Sequence, residues 1–124
     1  MIHRTELLLV VQAILFAAAS LVHAGVLLSG YEHSRAATAE GIIALVLLAG
    51  LVGSLVRPAS TRTIALVAQG FALLGTLVGA FTIAVGIGPQ TTTDYLFHAI
   101  LLALLVSGLV VAWMSEGETA EREL

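Results

Sequence analysis

Four stretches of about twenty mostly apolar residues follow one another along this chain, with only short polar breaks between them, and together they take up nearly all of its 124 residues. Crossing about 30 Å of hydrocarbon takes roughly 20 apolar residues in a helix. The pattern therefore predicts an all-α integral membrane protein, a four-transmembrane-helix up-down bundle. The spans fall at about 6–29, 36–56, 63–85 and 95–114, within a single domain covering 1–124. An acidic cytoplasmic tail, 115–124, is expected to follow. Only 10% of the residues are charged, against about 25% in a soluble domain.

The breaks are recognisable from their chemistry. Gly30 is expected to close the first span, before the polar run Tyr31, Glu32, His33, Ser34 and Arg35. Thr38 is a candidate first-turn cap for the second span. Pro58 forces a short turn between Arg57 and Arg62, because it cannot continue the hydrogen-bond ladder. Gly86, Gly88 and Pro89 end the third span, and Asp94 is expected to be the N-cap of the fourth. The first span also resembles a secretory signal, with Val22, His23 and Ala24 before Gly25 as a cleavage pattern. We read it as a retained helix.

Charge sets the expected orientation. An even number of spans puts both termini on one side, together with Arg4, Arg57, Arg62 and Arg122, while Arg35 stands alone on the other. The positive-inside rule then places both termini in the cytoplasm. Tyr31 and Tyr95 would mark the outer interface and Trp113 the inner one. The architecture is similar to that of small bacterial four-span membrane proteins, some of them accessory subunits of redox complexes. That resemblance implies the bacterial cytoplasmic membrane and carries no residue across.

Zero cysteines exclude disulfides, thiolate metal sites and cysteine nucleophiles, and a net charge of −3 offers no nucleic-acid surface. No phosphate-cradling glycine loop is present. Small residues recur through the third span at Ala68, Ala72, Gly75, Gly79, Thr82 and Gly86. Such a stripe lets helix backbones approach closely, or it leaves a groove for a flat cofactor or a lipid tail. Gln12 and Gln69 are expected to meet deeper in the bundle in a structural hydrogen bond.

Ionisable groups are costly in hydrocarbon and mark sites or polar contacts. Here they gather at the outer end: His23, Glu32, His33, Glu40, Asp94 and His98. His23, Glu40 and His98 fall at similar depths on three spans, a set of donors suited to a transition metal such as zinc, copper or iron. Asp94, four residues before His98, is expected to orient that imidazole or serve as a further ligand, with His33 supporting from the loop. One variant is haem b, with His23 and His98 as axial ligands. A quinone site using a histidine and a carboxylate is another. Two further readings are a non-catalytic accessory or scaffold subunit, and a small dimeric proton-coupled exporter. The membrane lipid is an expected partner, as is a homo-oligomer or a larger membrane complex.

Overall fold

The computed structural model describes residues 2–88 and 90–122, with side chains described as far as Ser115. Four helices, all long and apolar enough to cross a membrane, run in order: α1 (Arg4–His23), α2 (Ser34–Val56), α3 (Thr61–Ala84) and α4 (Thr92–Arg122). The apolar part of α4 extends over Thr92–Ser115, and its backbone stays helical to Arg122. Each helix packs on its neighbour in sequence, and α1 also meets α4 to close the bundle. The core is a column of Leu9, Phe16, Ile43, Leu47, Ala65, Ala68, Ala72, Leu101 and Leu105. The opposite faces leave Leu45, Val67, Leu74, Val78 and Ile100 more than half exposed, as a lipid-facing surface requires.

The turn between α2 and α3 forms where Pro58 demands it, as a single 3₁₀ turn over Pro58–Ser60. Less than two turns from it the two helices come into close contact. A Cβ placed on Gly50 would lie 2.8 Å from that of Ala68, so glycine is what lets the backbones meet. Gln12 and Gln69 pair as expected, with Gln12 Nε2 donating to Gln69 Oε1 at 2.9 Å and to the Leu104 carbonyl at 3.1 Å. Gln69 Nε2 donates to the Ala65 carbonyl. At the same end of the molecule Arg62 lies 4.5 Å from the ring centre of Trp113 and donates to its carbonyl.

The first span is shorter than its hydropathy implies. It ends at His23 and not near Ser29, because Gly25 adopts φ +78° and the N–H groups of Val26 and Leu27 turn back onto the Leu21 carbonyl. Glycine takes this left-handed conformation without the penalty a Cβ would bring. The N–H of His33 then donates to the His23 carbonyl at 2.8 Å, pinning the start of α2 to the end of α1. The cap of α2 is His33, whose Nδ1 accepts from the Ala36 N–H at 3.1 Å. Thr38 donates instead to the Ser34 carbonyl. Pro89, an expected terminator of the third span, lies outside the described residues.

Candidate functional site

His23 occupies the last residue of α1, and Glu40 lies less than two turns into α2. Helical side chains tilt toward their own N-terminus. The imidazole therefore leans into the bundle from α1 while the carboxylate on antiparallel α2 leans outward, and they meet. His23 Nδ1 lies 2.7 Å from Glu40 Oε2. On the other edge of the ring, Nε2 faces Asp94 Oδ1 of α4 at 3.7 Å. All three residues are buried, with 5–7% of their surface exposed. The result is a row, acid–imidazole–acid, crossing from α2 through α1 to α4.

Asp94 belongs to this row for a reason the spacing to His98 conceals. Thr91, not Asp94, caps α4. Thr91 Oγ1 accepts from the Asp94 N–H at 3.2 Å, and Asp94 Oδ2 accepts from the Thr91 N–H at 3.2 Å. This reciprocal pair is a capping box, strengthened by a short bond from the Thr91 hydroxyl to the same carboxylate oxygen. The carboxylate is thereby turned toward the start of the helix, with its second oxygen toward His23. It does not orient the His98 ring. His98 Nδ1 instead donates to the main-chain carbonyl of Asp94 at 2.8 Å. The Thr91–x–x–Asp94 pattern was the signal in the sequence that pointed to this arrangement.

Between the first half of α2 and the second half of α3 lies a cleft of about 270 Å³. One wall is the small-residue run of α3, Gly75, Thr76, Gly79 and Thr82. The other is Ala36, Ala39, Glu40 and Ile43 of α2. Phe16, His23, His98 and Leu101 form its floor, and His33, Arg35, Ile87 and Gly88, at the ends of the helices, its mouth. The rim residues Val78 and Ile87 are exposed on the bundle surface, so the cleft opens sideways toward lipid as well as outward. The small-residue stripe thus divides. Ala68 and Ala72 are packed in the core, whereas Gly79 makes room for an imidazole: a Cβ there would lie 3.2 Å from His98 Nε2.

The remaining expected site residues fall around this centre. His33 reaches the mouth, its Nε2 3.4 Å from where a Gly88 Cβ would lie, so the α1–α2 connection meets the α3–α4 connection. Glu32 stays in its own loop, accepting from the Gly30 N–H and lying over Gly25. Glu40 pairs with His23 and not with Arg35. Among the described residues, no three His, Asp or Glu side chains converge in a way that could hold a metal ion. Thr76 and Thr82 also line the cleft; in the sequence Thr82 read as part of a packing stripe and Thr76 did not stand out.

Compared with family models, curated proteins and solved structures, the chain matches none.

Proposed function

We propose that this small integral membrane protein holds a lipid-soluble ring molecule of the quinone class in the α2–α3 cleft, near its extracytoplasmic face. The observation that carries the reading is the cleft itself. Its walls are largely apolar and partly glycine, its rim faces lipid, its floor presents the imidazoles of His23 and His98, and one wall carries the Glu40 carboxylate. Ligand pockets for drug-sized molecules span about 300–1,000 Å³ and combine apolar walls with a few polar groups. A volume of about 270 Å³ suits a single-ring head group whose apolar tail leaves through the lateral opening. Gly75 and Gly79 let Ile43 and the His98 ring lie close against α3, and these two side chains give such a ring an aliphatic and an aromatic surface to pack on. Beside it, the Glu40–His23–Asp94 row supplies groups that can take up or release protons.

The orientation of charge favours both termini in the cytoplasm and the cleft on the outer side. A larger membrane complex or a second copy would then provide the redox or transport partner. The metal reading stands second, because His23 would have to leave both Glu40 and Asp94 to join His98 around one ion. Haem has less support. Axial imidazoles on α1 and α4 would put the macrocycle between those helices, whereas the open space lies between α2 and α3. An exporter is disfavoured because its coupling carboxylate would sit near one mouth, while transporter sites lie near the midplane.

Organic extraction of protein purified in mild detergent, followed by mass spectrometry, tests the reading. The expected result is near-stoichiometric quinone, falling several-fold in Glu40→Gln and in Gly79→Leu while far-UV circular dichroism is retained. Stoichiometric metal lost in His98→Ala, or a Soret band lost in His23→Ala, with no quinone in either case, would overturn it.

A further inference from the structure

The polar atoms lining the cleft are sorted by hydrogen-bonding role. His98 Nδ1 faces the Asp94 carbonyl at 2.8 Å. A carbonyl oxygen only accepts, so Nδ1 carries a proton, and in the neutral ring Nε2 keeps a bare lone pair. Nε2 is the edge turned to Gly79, on the cleft wall. The Thr76 hydroxyl donates to the Ala72 carbonyl at 2.7 Å, and the Thr82 hydroxyl to the Gly79 carbonyl at 2.7 Å. A hydroxyl has one hydrogen to give; both threonines have used theirs and offer only lone pairs. Glu40 adds carboxylate oxygens. His23 Nδ1 gives its hydrogen to Glu40 at 2.7 Å, and in the neutral ring Nε2, 3.7 Å from Asp94 Oδ1 and too far to bond it, keeps only a lone pair.

The mouth has the opposite character. His33 Nδ1 accepts from the Ala36 N–H, so in the neutral ring the proton sits on Nε2, at the edge facing Gly88. The Arg35 guanidinium, which only donates, lines the same mouth. The inner part of the cleft therefore accepts and the outer part donates.

Resting on the quinone reading above, we infer that the cleft selects the reduced, dihydroxy form of its ring ligand over the oxidised, dicarbonyl form. A hydroquinone can direct one hydroxyl hydrogen at His98 Nε2 or Glu40, and its other hydroxyl oxygen can accept from the mouth. A quinone carries acceptors at both ends. Its inner carbonyl would lose its water and meet only lone pairs. A buried polar group left unpaired in this way weakens binding substantially, and sites built to bond a hydroxyl discriminate strongly against analogues that lack it.

Calorimetry on the wild-type protein in nanodiscs, stripped of bound quinone and titrated anaerobically with duroquinol or duroquinone, tests this. The hydroquinone is expected to bind about tenfold more tightly or better. Equivalently, the bound couple would have its midpoint potential raised by about 30 mV for each tenfold of preference. In His98→Gln, whose amide brings hydrogens to the same place, the preference should shrink at least threefold. Equal affinity for the two forms, or tighter binding of the quinone, overturns the selectivity and leaves the quinone site standing. If neither form binds, both readings fall. The wild-type comparison decides the matter even if His98→Gln does not fold.

Discussion

Replacing Gly108 with alanine adds one methyl group to the chain, and it should be among the most damaging single changes in the bundle. The new Cβ would overlap Gln69 Oε1 and come within 2.6 Å of Gln12 Nε2. The glutamine pair could not stay where it is, so the bonds from Gln12 to Gln69 and to the Leu104 carbonyl would be lost. Interhelical hydrogen bonds in membranes average about 0.6 kcal/mol each. Two of them give about 1.2 kcal/mol, and forcing a methyl into a packed core adds about 1–3 kcal/mol. The expected destabilisation is about 2–4 kcal/mol. The control is Gly70→Ala, the same chemical change on α3 beside the pair, where a Cβ would meet nothing within 4 Å. It should be neutral or stabilising by up to about 1 kcal/mol. Unfolding in mixed micelles by graded addition of a denaturing detergent, followed by far-UV circular dichroism, gives both numbers. In a Gln69→Ala background the cost of Gly108→Ala should fall by about 1–2 kcal/mol, since the two sites are coupled by contact. Equal stability of Gly108→Ala and Gly70→Ala would refute the reasoning.

Two further outcomes are expected. His23→Ala leaves Glu40 and Asp94 buried without their shared partner and should destabilise by about 3–5 kcal/mol, whereas His33→Ala loses a helix cap worth about 1 kcal/mol; similar losses for the two in the same detergent titration would contradict the row. Reporters fused at either end should both read cytoplasm, and opposite readings would break the even span count.

The number of helices, the Pro58 turn, the Gln12–Gln69 pair and the common depth of His23 and Glu40 were legible in the sequence. Each follows from apolar length, from a residue with a single backbone option, or from helical rise applied to polar positions. The end of α1 was not legible from hydropathy, because Val26, Leu27 and Leu28 are as apolar as the helix before them. What stops the helix is the backbone turn at Gly25. The carboxylate of Asp94 had two plausible partners at suitable spacing, and the capping box with Thr91 outcompetes the i, i+4 ring. The cleft was only half legible. A stripe of small residues allows either contact or space, and which one results depends on how far away the opposite helix runs. At Ala68 the α2 backbone is close; at Gly75 the gap is bridged by a longer side chain, Ile43, whose Cδ1 reaches 2.8 Å from the Cβ position.

The contact of Gly50 with Ala68 also makes α2 and α3 a pair of levers with a fixed fulcrum. From Gly50 to Glu40 the arm is ten residues, roughly 15 Å at the helical rise. A tilt of only about 4° about that point moves Glu40 by about 1 Å and the mouth beyond it by more. The tight crossing at the inner end thus converts small angular play into aperture at the outer end, and a bulkier residue at 50 would shift the resting width of the cleft without touching any atom that lines it.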